Sequence, residues 1–553
     1  MAGLVPTSIY KASPPAGMLL SLTRRYITRT SPTLHFTIRT MAIAKHVVAK
    51  ESDLKDGEKK EVKIGETPVL LSKVKGSYYA TSARCTHYGA PLVNGTLASD
   101  GRIMCPWHGA CFNATTGDIE DAPALNSLQK FEVTVQDGDV IVEADESALA
   151  AGKRKPACVK HNKKGYTGKI RVVSREDYLP IDRPKVSKTF GTGDPAGIAL
   201  RDASHWKSLD VEFKLGTDVT SVDPKGKSVT LSNGDKWTWN HLVLATGGWP
   251  KKIPIPGVDL SNVFTLRTVH NNNTIQQAVK SFGGKPNVVV IGSSFIGMEL
   301  ASVASKEANV TVVGMEKVPF ERVLGEKVGG ALGELHKSNG VNLIMNANVE
   351  AIEPREDKSS VGSVKLKGGQ TLPADVVVLG VGVGPQTDYL KNSPDFTLEK
   401  DGSLKVDQHF KVEGFDHIYA TGDIATFPYQ HTGQPLRIEH WGFAENTGRT
   451  VALNIASKPK KFTHVPYFWT AQHGKSIRYA GFAKEYDDVI IHGDLKELAF
   501  AAYYAKGEEI LAIASLNKDP VVSYSAELLR IGKMPKASEL RKGVNPLDIP
   551  LVV

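Results

Sequence analysis

Cysteine is scarce: the 553 residues contain four. Four thiols cannot staple a chain of this length, so a disulfide scaffold is excluded and a reducing compartment fits. Long apolar runs are missing too. None reaches the ~18 residues that a membrane-spanning helix needs, so no membrane span is expected. The first 50 positions hold no Asp or Glu, but they hold Lys11, Arg24, Arg25, Arg29, Arg39, Lys45 and Lys50. Those seven cations make up most of the formal net charge of +9. The rest of the chain is close to neutral, so the basic balance gives no ground for a nucleic-acid partner. The same stretch is rich in Ser and Thr, and residues 1–45 read as a mitochondrial transit or disordered segment. Translation from Met41 would instead leave the protein cytoplasmic.

Two of the four cysteines stand in a pattern. Cys85-x-His87 is followed, seventeen residues on, by Cys105-Pro-Trp-His108. Two thiolates and two imidazoles in paired short spacings suit a 2Fe–2S cluster, with the sulfurs on one iron and the nitrogens on the other. Zinc takes the same ligand types, but zinc pairs usually come as CxxC with HxxxH, and here each loop contributes one Cys and one His. The stretches Cys85-Thr-His-Tyr-Gly-Ala-Pro-Leu92 and Cys105-Pro-Trp-His-Gly-Ala-Cys-Phe112 resemble the two loops of a Rieske domain. High-potential members of that family carry a Ser and a Tyr after the second His-Gly and a disulfide between the loops. Here Ala110 and Phe112 stand at the hydroxyl positions, and Cys111 has no partner in the first loop. The resemblance therefore implies the low end of the Rieske range, roughly −150 mV.

Residues 46–145 alternate apolar and polar, with turn signals at Lys55-Asp-Gly57, Lys75-Gly76, Asp100-Gly101 and Asp137-Gly-Asp139. Segments 68–71, 78–81 and 131–135 read as short strands of a small β-domain. A linker rich in Ala, Lys and Gly follows, over 146–165. Beyond it strand and helix patterns alternate, with parallel-strand runs at 169–173, 241–245, 287–291 and 375–379. The best-formed unit is Asn287-Val-Val-Val-Ile-Gly292-Ser-Ser-Phe-Ile-Gly297-Met-Glu299. It predicts a strand, a glycine turn and a helix over 299–306. A second strand over 310–313 leads to Glu316. This is a dinucleotide-binding unit: Gly292 and Gly297 bring backbone amides to a pyrophosphate at a helix N-terminus, where the dipole favours anions. Glu316 is placed to accept from an adenosine ribose and to repel a 2′-phosphate, which favours NADH over NADPH.

The neighbouring segments name a family. Ser174-Arg-Glu-Asp-Tyr-Leu-Pro-Ile-Asp-Arg183-Pro-Lys-Val-Ser-Lys188, Leu244-Ala-Thr-Gly-Gly248, Gly380-Val-Gly-Val-Gly-Pro385 and Ile418-Tyr-Ala-Thr-Gly-Asp423 resemble segments of the ferredoxin-reductase and apoptosis-inducing-factor flavoproteins. So do Glu439-His-Trp-Gly-Phe-Ala-Glu-Asn-Thr-Gly448 and Tyr467-Phe-Trp469-Thr-Ala-Gln472. The set is similar to the Rieske-bearing, apoptosis-inducing-factor-like oxidoreductases. The resemblance implies a multidomain chain. An N-terminal all-β Rieske domain (46–145) would precede an α/β flavoprotein with two dinucleotide-binding domains, for FAD (166–284 and 401–460) and NAD (285–400). A small C-terminal α/β domain (461–553) would follow. It implies that Glu176 binds the FAD adenosine ribose, that Arg183 and Lys188 face the flavin and its phosphates, and that Asp423 holds the ribityl chain. Trp441 and Trp469 would pack near the ring, and Gly382 would lie in the turn beside the nicotinamide. No catalytic residue is singled out. No CxxxxC pair lies near these segments, which disfavours a disulfide reductase. The implied activity passes electrons from NADH through FAD to the cluster and on to an unknown acceptor. A redox-sensing or signalling protein with little turnover is the alternative.

One departure matters. The first dinucleotide fold should open with its own strand, glycine turn and helix just before Gly165. Lys153-Arg-Lys-Pro-Ala-Cys-Val-Lys-His-Asn-Lys-Lys-Gly165 stands there instead. Thirteen residues cannot supply a strand of ~5, a glycine loop and a helix of ~11. Gly191-Thr-Gly193 follows no strand and cannot substitute. The FAD-side sheet is therefore expected to lack its central strand, leaving bare edges, and the FAD diphosphate to lack its helix N-terminus. Either a defective gene model or skipped exon has removed the unit, or the chain has lost tight FAD binding. The consistency of the later FAD segments favours the former.

Overall fold

The computed structural model describes residues 44–144, 166–391 and 393–552. The expected transit segment, the linker 146–165 and the spare thiol Cys158 lie outside the described residues, apart from Ala44 and Lys45.

The N-terminal part is all-β. Six antiparallel strands form one sheet, among them Thr67–Val74, Ser77–Ser82 and Lys130–Gln136. Val69, Leu71, Ala80, Val140 and Val142 are fully buried on its inner side. A second sheet of four strands spans Thr96–Leu97, Arg102–Met104, Cys111–Asn113 and Ile119–Asp121. The first Cys–His loop follows Ser77–Ser82 of the six-stranded sheet, and the second joins Arg102–Met104 to Cys111–Asn113 of the four-stranded one.

The NAD-side unit is a five-stranded parallel sheet. Its order is Val263–Thr265, Val376–Leu379, Asn287–Ile291, Asn309–Val313 and Val341–Ile344. The strands are near-continuous runs of Val, Ile and Leu because both faces are covered. Helices bury Val288, Val290, Val312, Val376 and Val378 on one, and the antiparallel strands Val349–Pro354, Val361–Leu366 and Thr371–Pro373 bury Val289, Ile291 and Val313 on the other. Val263–Thr265 pairs in parallel with Val376–Leu379. Val263–Thr265 falls within the range 166–284 expected for the first FAD part. The glycine-turn helix is Phe295–Ala304 rather than 299–306. It starts at once after Ser294 because Met298, Ala301 and Leu300 pack into the core from its first turn.

The FAD-side strands are arranged differently. Among the described residues they form two separate parallel pairs, Ile170–Val173 with Val211–Lys214 and Leu242–Leu244 with Ile418–Ala420. Ile170 and Val243 are 39% and 41% exposed, unlike any valine of the NAD-side central strand.

The C-terminal part is a five-stranded antiparallel sheet that includes Tyr467–Gln472 and Lys475–Gly481, backed by the helix Val521–Arg530. It clamps the cluster-bearing domain. Arg102 pairs with Asp121 at 2.5 Å and Glu120 at 2.8 Å within its own domain, and reaches Glu527 of the backing helix at 3.4 Å. Arg530 pairs with Asp100 at 2.9 Å, and the Ala122 amide donates to Asn446. Among the described residues, no helix is long and apolar enough to cross a membrane.

Candidate functional site

The two ligand loops have the same backbone shape. In the first, the Cys85 amide donates to the Ala90 carbonyl and the Gly89 amide to the Cys85 carbonyl. In the second, Cys105 donates to Ala110 and Gly109 to Cys105. Gly89 and Gly109 have φ of +81° and +73°, the left-handed conformation that each return turn requires. The repeated turn brings the four expected ligands together. The Cys85 and Cys105 thiols touch, both nearly fully buried. The Nδ1 atoms of His87 and His108 face each other at 3.0 Å.

The surroundings suit a cluster. Backbone amides of His87 and Tyr88 point at the Cys85 sulfur, and those of Trp107 and His108 at the Cys105 sulfur. Such N–H groups favour thiolate over thiol. The hydrogen bond between the two thiols, and after it burial, pushes the Cys85 thiol up, and the same bond holds Cys105 down. Burial lowers His87 to about 4 and His108 to about 2, which keeps both rings neutral, the form that ligates. The groups stand as a sulfur pair and a nitrogen pair. Among the described residues, no three His, Cys, Asp or Glu side chains converge as a single ion would require.

A cavity of about 1830 Å³ opens between the two parallel pairs on the FAD side. Glu176, Arg183, Lys188, Asp423, Trp441 and Trp469 all line it, so the structure gathers every expected flavin residue on one wall system. Glu176 and Arg183 pair with each other at 2.6 Å instead of standing apart at ribose and flavin. Burial raises the Glu176 carboxyl, but the Arg183 guanidinium outweighs it and holds the group below the usual range. Lys188 pairs with Glu299 at 2.8 Å. Asp423 accepts from the Gly248 amide at 3.0 Å and sits 3.4 Å from Arg267. Trp441 opens the helix Trp441–Ile455. The Nδ1 of His440 and the Oε2 of Glu445 are buried without a partner among the described residues, as expected of groups awaiting a polar ligand. The flavin end therefore fits. The helix N-terminus that the diphosphate needs falls on 153–165, outside the described residues.

On the NAD side the glycines do what the spacing predicts. Gly292 has φ +110°, and a Cβ there would lie 2.4 Å from the Gly380 carbonyl oxygen. A Cβ on Gly297 would lie 2.3 Å from the Gly292 oxygen, so helix and turn touch backbone to backbone. Glu316 accepts from Ser293 Oγ at 3.1 Å and pairs with Arg322 at 2.8 Å. Gly382 has φ +92° and open space around its Cβ position.

Trp469 joins the two sites. Its ring centroid lies 4.4 Å from that of His108 and 5.8 Å from that of His87, and the same side chain lines the large cavity. Several contributors escaped the sequence reading: Arg267, Glu299, His440, Glu445, Tyr467 and Arg478. Only Glu299 left a usable signal, a lone carboxylate in an otherwise apolar helix.

Comparison with known proteins agrees with this geometry. Residues 44–132 match the Rieske [2Fe-2S] domain, residues 156–448 the pyridine nucleotide-disulphide oxidoreductases and residues 467–548 the reductase C-terminal domain. Human apoptosis-inducing factor 3 is 37% identical over 89% of this chain and 85% of its own length. Putidaredoxin reductase of Pseudomonas putida is 28% identical over 66% of this chain and 86% of its own. Among solved structures, a ferredoxin reductase from Rhodopseudomonas palustris superposes with a TM-score of 0.64 at 28% identity. It covers 70% of this chain and 92% of that one. With two thiols, two facing imidazoles and a nucleotide-type reductase in one polypeptide, the chain belongs to the pyridine nucleotide-disulphide oxidoreductase family, in its Rieske-bearing, apoptosis-inducing-factor-like form.

Proposed function

We propose that the chain is an NADH-dependent reductase whose own Rieske domain receives the electrons before an external one-electron acceptor does. Together, NADH, FAD and a 2Fe–2S cluster supply the conversion of a hydride donor into single electrons. Cys85, His87, Cys105 and His108 would hold the cluster. Gly292, Gly297, Glu316 and Gly382 would hold the pyridine nucleotide. Glu176, Arg183, Lys188, Asp423, Trp441 and Trp469 would hold the flavin. Burial keeps the two histidines neutral, and the Lys188–Glu299 pair keeps an ammonium on the cavity wall, where it would stabilise developing negative charge.

The observation that carries this reading is Trp469, which borders both the flavin cavity and the imidazole pair. The fixed docking through Arg102, Glu527 and Arg530 keeps donor and acceptor sites at high effective concentration. The acceptor is of ferredoxin type or another one-electron carrier, by analogy with relatives that are ferredoxin reductases. The basic, acid-free residues 1–45 would direct the chain to the mitochondrion, which a reporter fusion of that segment checks.

His87→Ala is the test. Iron, acid-labile sulfide and released flavin are measured on parent and variant, together with NADH-dependent reduction of a one-electron acceptor. The variant should lose the cluster and its paramagnetic signal, and transfer to the acceptor should slow. Unchanged transfer in a cluster-free variant would show that the cluster is not on the route.

A further inference from the structure

The strand Tyr467–Gln472 of the C-terminal sheet splits its side chains between two sites. Phe468 and Thr470 point inward: Phe468 packs edge-to-face with Phe295 of the NAD-side helix, and Thr470 donates to Glu299 at 2.6 Å. Tyr467 and Trp469, on the other face, point to the Rieske loops. This follows from the period-two alternation of a strand. The next strand adds a third side chain to that face. Arg478 lies directly opposite Trp469 in the antiparallel register, and opposed residues share a face.

The contacts on that face are close. The Tyr467 ring packs on Gly109 of the second ligand loop, where a Cβ would come within 2.7 Å of its Cγ. Arg478 donates to the carbonyl of Trp107, the residue before the ligand His108, at 3.2 Å. It is 8% exposed and pairs on its far side with Asp519 at 3.0 Å. The charge of Arg478 reaches both Cys105 and His108, and Cys105 acts in turn on the Tyr467 hydroxyl. That hydroxyl is buried and has no hydrogen-bond partner among the described residues. Leaving a buried donor unpartnered is unfavourable, so it marks a place where an acceptor belongs. The charges that act on it are those of Arg478, Asp519 and Cys105, and Cys105 is one of the expected cluster ligands.

The second Rieske loop lacks the hydroxyls that the resemblance associates with high potential, since Ala110 and Phe112 occupy their positions, and in the first loop the Thr86 and Tyr88 hydroxyls donate to Asn126 and Asp182. We propose that the C-terminal domain supplies the missing stabilisation: the Tyr467 hydroxyl donates to a cluster sulfur, and the Arg478 guanidinium faces the cluster with positive charge. Reduction adds one negative charge to the cluster. A donor to sulfur and a buried cation both favour the more negative state, and both act strongly where water is excluded. The docked domain thereby raises the cluster potential above what its own loops would set, which draws electrons out of the flavin site. Tyr467 and Arg478 are positioning residues. Neither ligates iron.

This inference rests on the cluster reading above, and the experiment separates the two. The full-length chain with its assembled cluster is compared with Tyr467→Phe, which removes one oxygen, and with Arg478→Lys and Arg478→Gln. Iron and acid-labile sulfide are counted first, and the midpoint is then read by redox titration of the cluster's paramagnetic signal. Tyr467→Phe should lower the equilibrium constant for electron uptake about tenfold, a fall of ~59 mV for a one-electron couple. Arg478→Gln should lower it too, and Arg478→Lys less, because the charge is kept. A parent without iron or labile sulfide overturns both readings. A parent with a full cluster whose midpoint does not move in Tyr467→Phe and Arg478→Gln overturns this one alone, and would place the Tyr467 hydroxyl on water in the adjoining cavity of about 100 Å³.

Discussion

The chain holds two dinucleotide-type sheets, and they differ at the middle. On the NAD side the strand Asn287–Ile291 is hydrogen-bonded along both edges, to Val376–Leu379 and to Asn309–Val313. On the FAD side, among the described residues, two strand pairs face each other across a cavity of about 1830 Å³. The contrast isolates what a central strand contributes. With it, the turn at its end meets a helix N-terminus, glycines touch backbone to backbone, and valines are sealed on both faces. Without it, side chains that would grip a flavin still assemble, because strand pairs and the NAD-side domain position them independently. Among the described residues the flavin end of a site is thus assembled from elements that do not include a central strand.

The largest expected effect comes from erasing the contrast. Inserting a strand–GxGxxG–helix segment between residues 152 and 166 should fill the slot and present backbone amides to the diphosphate. With a few such contacts at ~1 kcal/mol each, flavin retention should improve about a hundredfold, read as flavin fluorescence released after gel filtration and denaturation. No gain would mean that the two strand pairs are not the flanks of one sheet. A smaller effect sharpens the comparison with paired substitutions. Val289→Ala, in the buried NAD-side strand, should cost ~2 kcal/mol, whereas Val243→Ala, at a bare edge, should cost less than ~0.5 kcal/mol in denaturant unfolding. Equal costs would show that the FAD-side edge is covered. The smallest effect concerns Glu445 on the cavity wall, whose carboxyl burial pushes up to about 8 from 4.5. A group raised on folding contributes stability that is complete below its unfolded value and lost as pH rises toward the folded one. The melting temperature should therefore drift down by about 2–4 °C between pH 4.5 and 8, and Glu445→Gln should remove that drift.

The legibility of the site follows distance along the chain. The four expected cluster ligands lie within residues 85–108, so spacing alone grouped them. The two loops then brought the sulfurs together and the Nδ1 atoms to 3.0 Å. The glycine turn at 292–297 was equally plain, because its chemistry is local to one strand, turn and helix. The helix start was misplaced by four residues, since the packing of Met298 and Ala301 outweighed the polar look of the turn. The Glu176–Arg183 pair and the Lys188–Glu299 pair were not visible, since each side chain finds its partner through the fold. The contact of Trp469 with His108 crosses 361 positions, and nothing in either neighbourhood announces it.

Motif spacing by itself pointed to a cluster-binding β-domain and a nucleotide-binding unit, and resemblance to a family added the flavin-type segments and the expectation that the first nucleotide fold lacks its glycine turn. These are properties of short stretches, in which ligand type, glycine placement and strand periodicity act on neighbours. Tertiary structure alone decided that one strand of the C-terminal sheet serves two sites, with Thr470 on the flavin-side carboxylate and Tyr467 and Trp469 against the cluster loops. Alternation along a strand sets which residues share a face, but only the docking of one domain on another sets what that face meets.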